Sequence, residues 1–182
     1  ANLSNIQTDQ GDYGAALKSL DEARAAAREI GDKNLVATVA AYLGDAMSRL
    51  GDNVAADSAL GEALGIAREI GNGSLGAEVL SLRAGTLLAR GDRDRAAAAA
   101  GEAVAAARAA KDVRLVLLAR LQDAAAKGHA ADLEEIAAEA ERSGLKPVAA
   151  AAQLALARVL LGARRPGDAL GDHGGGHALD QT

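Results

Sequence analysis

Three groups of residues have types and spacings that chemistry could use. Gly71-Asn72-Gly73-Ser74-Leu75-Gly76 spells G-x-G-x-x-G. That pattern cradles a pyrophosphate when it directly follows a strand and opens a helix. Here a helical segment precedes it. The same loop in neighbouring units reads Gly31-Asp32-Lys33-Asn34-Leu35-Val36 and Lys111-Asp112-Val113-Arg114-Leu115-Val116. The glycines therefore read as variation in an inter-helix turn. His173 and His177 stand four apart, with Asp172 and Asp180 nearby. On a helix both imidazoles would share one face, a zinc-binding geometry. Three glycines between them oppose that helix and raise the entropic cost of ordering ligands, so a solvated tail is expected. Glu134, Glu135, Glu139 and Glu141 could do acid–base work only in a cleft that shifts their pKa values. Among Ala residues and Ile136 they read as a solvated face. Neither a Walker A loop nor a G-x-S-x-G elbow occurs. No catalytic residue, metal site or cofactor is expected.

The elements that carry these residues are helices. The chain has 182 residues, 48 of them Ala and 25 Leu, with only 2 Pro and 2 aromatic residues, Tyr13 and Tyr42. Ala and Leu favour helices, and strand-forming residues are scarce. An all-β fold is nearly excluded and a doubly wound α/β fold disfavoured. With 49% hydrophobic residues and a net charge of −5, disorder is disfavoured too. Zero Cys excludes disulfides and thiolate chemistry. It fits a reducing compartment, and a cytoplasmic location is expected. A pI near 5.2 argues against a nucleic-acid module, which normally carries a basic face. The apolar run Val148 to Leu161 contains Gln153 and Arg158 and reads as too short and too polar to cross a bilayer. The chain opens with neither Met nor a signal peptide, as expected of a processed chain or an internal piece.

Repetition organises the helices. Gly-Asp occurs at residues 11, 51 and 91, forty apart, and residues 11–50 share 15 identities with 51–90. Eight positions are identical in three units: the Gly-Asp pair, Ala16/Ala56/Ala96, Glu22/Glu62/Glu102, Ala23/Ala63/Ala103, Ala27/Ala67/Ala107, Arg28/Arg68/Arg108 and Leu35/Leu75/Leu115. Charges repeated in this way read as scaffold, because a catalyst needs one constellation and not three. Gly is the preferred residue just past a helix C-terminus, and Asp accepts the first free N–H groups of the next helix. The spacing predicts helices near 13–30, 35–50, 53–70, 74–90, 93–110, 113–127, 130–143 and 147–161. Residues 1–9 read as the end of a further helix. The units lie near 11–50, 51–90, 91–127 and 128–161. The array ends near 165, and 166–182 form a frayed, Gly-rich tail.

Leu43, Gly44, Met47, Gly51, Ala56, Leu60 and Ala63 resemble the tetratricopeptide repeat motif. Leu3, Gly11, Ala16, Leu20 and Ala23 match it in the preceding unit, and Leu87, Gly91, Ala96 and Ala103 in the next. The forty-residue period is similar to the longer variants in kinesin light chains and bacterial regulators. The motif's usual aromatics are missing; Met47, Leu60 and Ala100 stand in their place. The resemblance implies an all-α solenoid, a right-handed superhelix of antiparallel helix pairs. It also implies a non-enzymatic scaffold for a protein or peptide within a larger, bacterial regulatory protein. The alternative is a sensor that relays a small effector to a neighbouring domain. No nucleic-acid or membrane partner is expected. In this family the first helix of each pair lines the concave wall. Carried over from Leu43 and Gly44, that phase places Thr38, Ala41, Asp45 and Ser48 on the wall, then Glu78, Ser81, Gly85 and Leu88, then Leu115, Leu118 and Gln122. Asp45 and Glu78 would bias one end toward a neutral or basic partner. The leucines would offer an apolar strip. The alternative for the wall is packing against another domain of the same protein.

Overall fold

The computed structural model describes residues 13–163, and every regular element among them is an α-helix. In order they are α1 (Tyr13–Glu29), α2 (Lys33–Arg49), α3 (Asn53–Glu69), α4 (Gly73–Ala89), α5 (Arg93–Ala109), α6 (Val113–Lys127), α7 (Ala130–Arg142) and α8 (Lys146–Ala163). The expected helix at 1–9, the match at Leu3 and Gly11, the tail 166–182 and the His173–His177 pair lie outside the described residues.

Each turn is written by the same few atoms. Asp32, Asp52, Asn72, Asp92 and Asp112 sit at helix N-caps, and their side chains accept the N–H three residues on. Before four of these caps stands a glycine with φ between 68° and 84°, at positions 31, 51, 71 and 91. There the preceding helix closes with paired bonds, as in Gly31 N–H to Arg28 O and Asp32 N–H to Ala27 O, both 3.1 Å. This left-handed conformation is what Gly adopts without penalty. Asn72 is thus a cap, and the G-x-G-x-x-G string is a turn between α3 and α4.

The helices form two layers. Successive inner helices α2, α4, α6 and α8 pack against one another as well as against their sequence neighbours. The outer helices α1, α3, α5 and α7 pack mainly onto the inner layer. The core runs between the layers. Leu43, Leu60, Leu87, Leu117, Leu133 and Ile136 are fully buried there. So are the repeated alanines 16, 56, 96, 63, 103, 67 and 107, whose small side chains let the helices approach closely.

Repeated charges strap the outer layer together. Arg28 donates to Glu62 at 2.7 Å and Arg68 to Glu102 at 3.1 Å, each across 34 residues. The charges therefore tie one repeat to the next. α6 has 15 residues and α7 has 13 where the earlier helices have 17, so the repeat shortens toward the C-terminal end.

α8 begins two residues before the apolar run read from the sequence. Its 18 residues, mean hydropathy 1.2, are long and apolar enough to cross a membrane by length and composition. In this fold Val148, Ala149 and Ala152 pack it onto the array, while Leu154, Leu160 and Leu161 are exposed.

Candidate partner-binding surface

Each inner helix begins shortly after a left-handed residue: Gly31, Gly71, Lys111 or Gly144. Counting from that residue puts the four inner helices in register. Seven residues on come Thr38, Glu78, Leu118 and Ala151; ten on, Ala41, Ser81, Leu121 and Leu154. Fourteen on come Asp45, Gly85, Ala125 and Arg158; seventeen on, Ser48, Leu88, Gly128 and Leu161. Four rows therefore run across the inner layer, polar and acidic over α2, apolar in the middle, with Arg158 at the α8 end.

A concavity of about 760 Å³ opens over α4, α6 and α8. Of the wall residues expected from sequence, Gly85, Leu88 and Gln122 line it. Leu121, Ala125, Leu154 and Arg158 join them. Gln122 reaches across to Gly85, where a Cβ would stand 3.6 Å from its side-chain oxygen. The guanidinium of Arg93 also lines the hollow and donates to the Ala126 and Ala125 carbonyls at 2.9 and 3.3 Å, capping the end of α6. Every charged group lining this hollow is cationic, Arg93 and Arg158, and the rest is mostly Leu, Ala, Val and Gly.

Other expected wall residues lie elsewhere. Thr38, Asp45, Ser48, Glu78 and Leu118 are half-buried on the inner helices. Ala41, Ser81 and Leu115 are buried in the packing and leave a partner almost no surface. Leu115 belongs to the triplicated Leu35/Leu75/Leu115 set, so its repetition marks it as architecture. Ser48 accepts a hydrogen bond from Thr86 at 3.1 Å, joining α2 to α4. The acids are not free: Asp45 is held by Arg49 at 2.9 Å, and Glu78 lies 3.8 Å from Arg114. Their expected bias toward a basic partner is correspondingly reduced. Extending Ala41, Asp45 and Ser48 by two periods of forty gives Leu121, Ala125 and Gly128, all of which line the hollow. The same count was available from the sequence and finds what the motif phase missed on α6.

The acidic helix α7 does not form a cleft of carboxylates. Glu139 and Glu135 both grip Arg120 of α6, at 2.6 and 3.3 Å, while Glu134 and Glu141 are exposed. On the outer helix α3, Asp57 pairs with Arg83 of α4. A hydrogen bond from Arg83 holds its carboxyl below the usual value against the opposing effect of burial, with Arg95 and Arg90 adding attraction. No cluster of three or more potential metal ligands occurs among the described residues.

Comparisons with known proteins agree with this architecture. Residues 1–69 match the family model described as tetratricopeptide repeat. Residues 78–122 match the model of anaphase-promoting complex subunit 5. No curated protein sequence matches the chain. The crystal structure of BtubC (BKLC) from P. vanneervenii is similar over 99% of this chain and 83% of that one, with a TM-score of 0.53 and 16% identity. At that identity the likeness speaks to the fold.

Proposed function

Because the chain carries tetratricopeptide repeats, an interaction fold, we propose that it binds a protein or peptide segment along the inner wall formed by α2, α4, α6 and α8. The observation that carries this reading is the hollow over α4, α6 and α8, lined by leucines and by the cations Arg93 and Arg158. Apolar side chains buried in such a hollow supply affinity, and rim charge supplies register and association rate. The rows set a direction. The segment places apolar residues against Leu88 and Leu154, with Leu121 beneath them, and a neutral or acidic residue near Arg158. The polar stretch at Thr38 and Ser48 takes its other end. This is a non-catalytic scaffold acting without a cofactor, on a protein rather than a nucleic acid or membrane partner, in the cytoplasm and within a regulatory protein.

A peptide array probed with the intact chain tests the reading. Arg158→Glu should shift the preferred peptides toward basic ones, and Asp45→Lys/Glu78→Lys should shift them less, because both acids already have partners. An unchanged profile in the Arg158 variant would defeat the assignment.

A further inference from the structure

The turn between α5 and α6 differs from its predecessors in one direction. Where Gly31, Gly71 and Gly144 stand in the left-handed conformation, the structure holds Lys111 at φ 56°. A non-glycine residue there costs about 1 kcal/mol or more. The ion-pair strap also stops here. In the shorter α7 the place of Glu62 and Glu102, ten residues past the N-cap, falls to Glu139, which pairs with Arg120 and not with Arg108. Where the earlier turns read Asn34 and Ser74, this one has Arg114. α8 then opens with exposed Lys146.

These changes converge in space. The α5–α6 turn and the α7–α8 turn together line a hollow of about 650 Å³ with Lys111, Val113, Arg114, Ser143 and Leu145. Val113, which lines it, is 58% exposed. The acids at this edge are occupied. Asp112 caps α6 at Leu115 N–H, Glu78 lies by Arg114, and Glu141 accepts from Gln153. Arg108, Lys111, Arg142 and Lys146 face no such partner among the described residues.

We infer that this turn edge is a second docking surface, separate from the inner wall, for an acidic protein segment bearing an apolar residue. Val113 and Leu145 receive the apolar side chain, and the ring of cations holds the flanking carboxylates. Charge complementarity picks this occupant. Arg108, Lys111, Arg142 and Lys146, which have no acidic partner among the described residues, lie on or next to these two turns, and Val113 beside Lys111 is exposed.

The test is fluorescence anisotropy of the full chain with a labelled eight-residue peptide of glutamates flanking a central Leu. Single-stranded DNA and phosphatidylserine vesicles serve as competitors. Binding should weaken steeply with salt. Lys111→Gly and Arg142→Glu should each weaken it by about tenfold, while Lys18→Glu, on exposed surface of α1, leaves it unchanged. Lys111→Gly should also raise Tm, because it relieves the left-handed lysine, so lost binding cannot be attributed to lost folding. Three results would overturn the inference: no saturable binding, binding lost with Arg158→Glu and not with Lys111→Gly or Arg142→Glu, or DNA or vesicles displacing the peptide at lower concentration than unlabelled peptide does.

Discussion

Gly44 on α2 and Leu60 on α3 occupy one space between them. A Cβ built on Gly44 would lie 2.5 Å from Leu60 Cγ and 2.8 Å from its Cδ2, with the Ala56 carbonyl at 3.2 Å. One repeat later the same two positions are Ala84 and Ala100, both fully buried. The array thus fills one joint in two ways, small against large and then medium against medium. This is how the fold tolerates a motif stripped of its aromatics.

That relationship makes a double-mutant prediction. Leu60→Ala alone should cost about 2–5 kcal/mol by leaving a cavity. Gly44→Ala alone should cost about 1–3 kcal/mol by overpacking. In the Leu60→Ala background, Gly44→Ala should be stabilising, because it fills space and Ala is the better helix former by about 1 kcal/mol. Urea denaturation of the four proteins measures the coupling. Additive costs would show that the two side chains do not compete.

Ser81 gives the opposite kind of prediction. It is 6% exposed in α4, and its hydroxyl has no hydrogen-bond partner. A buried, unpaired polar group costs about 1–3 kcal/mol. At the equivalent place α2 has Ala41, also buried. Ser81→Ala should therefore raise Tm. A fall in Tm would mean that the hydroxyl is satisfied.

The Asp57–Arg83 pair, 2.7 Å apart and half-buried, should be visible in the acid limb of stability. A folded-state pKa held below the ordinary 3.8 means that the charged form favours folding. That contribution is complete above the unfolded pKa and is lost as pH falls through the folded value. Asp57→Asn should lower stability by about 1 kcal/mol at neutral pH. Its gap from the parent should persist down to about pH 4 and close below that. A gap independent of pH between 7 and 2 would assign the effect to packing.

Much of this fold is legible in the sequence because one turn is used repeatedly. Gly-Asp and Gly-Asn both stop one helix and start the next, so the expected helices fall within about two residues of those observed. The repeated Glu and Arg are scaffold, as their repetition implies, although their pairing across 34 residues depends on how the outer helices stack. The wall was harder to read. A motif phase carried from Leu43 and Gly44 finds Gly85 and Leu88, but on the degenerate α6 it slips toward Leu115. The cations lining the hollow were also hidden, because Arg93 and Arg158 come from α5 and α8 and meet only through the stacking.

Amide hydrogen exchange, with and without the tightest peptide from the array, tests the central claim most directly. The inner wall accounts for binding if protection gathers on α4, α6 and α8, centred on the segments around Leu88, Leu121 and Leu154. Protection confined to the outer helices α3, α5 and α7, with the inner helices unchanged, would contradict it.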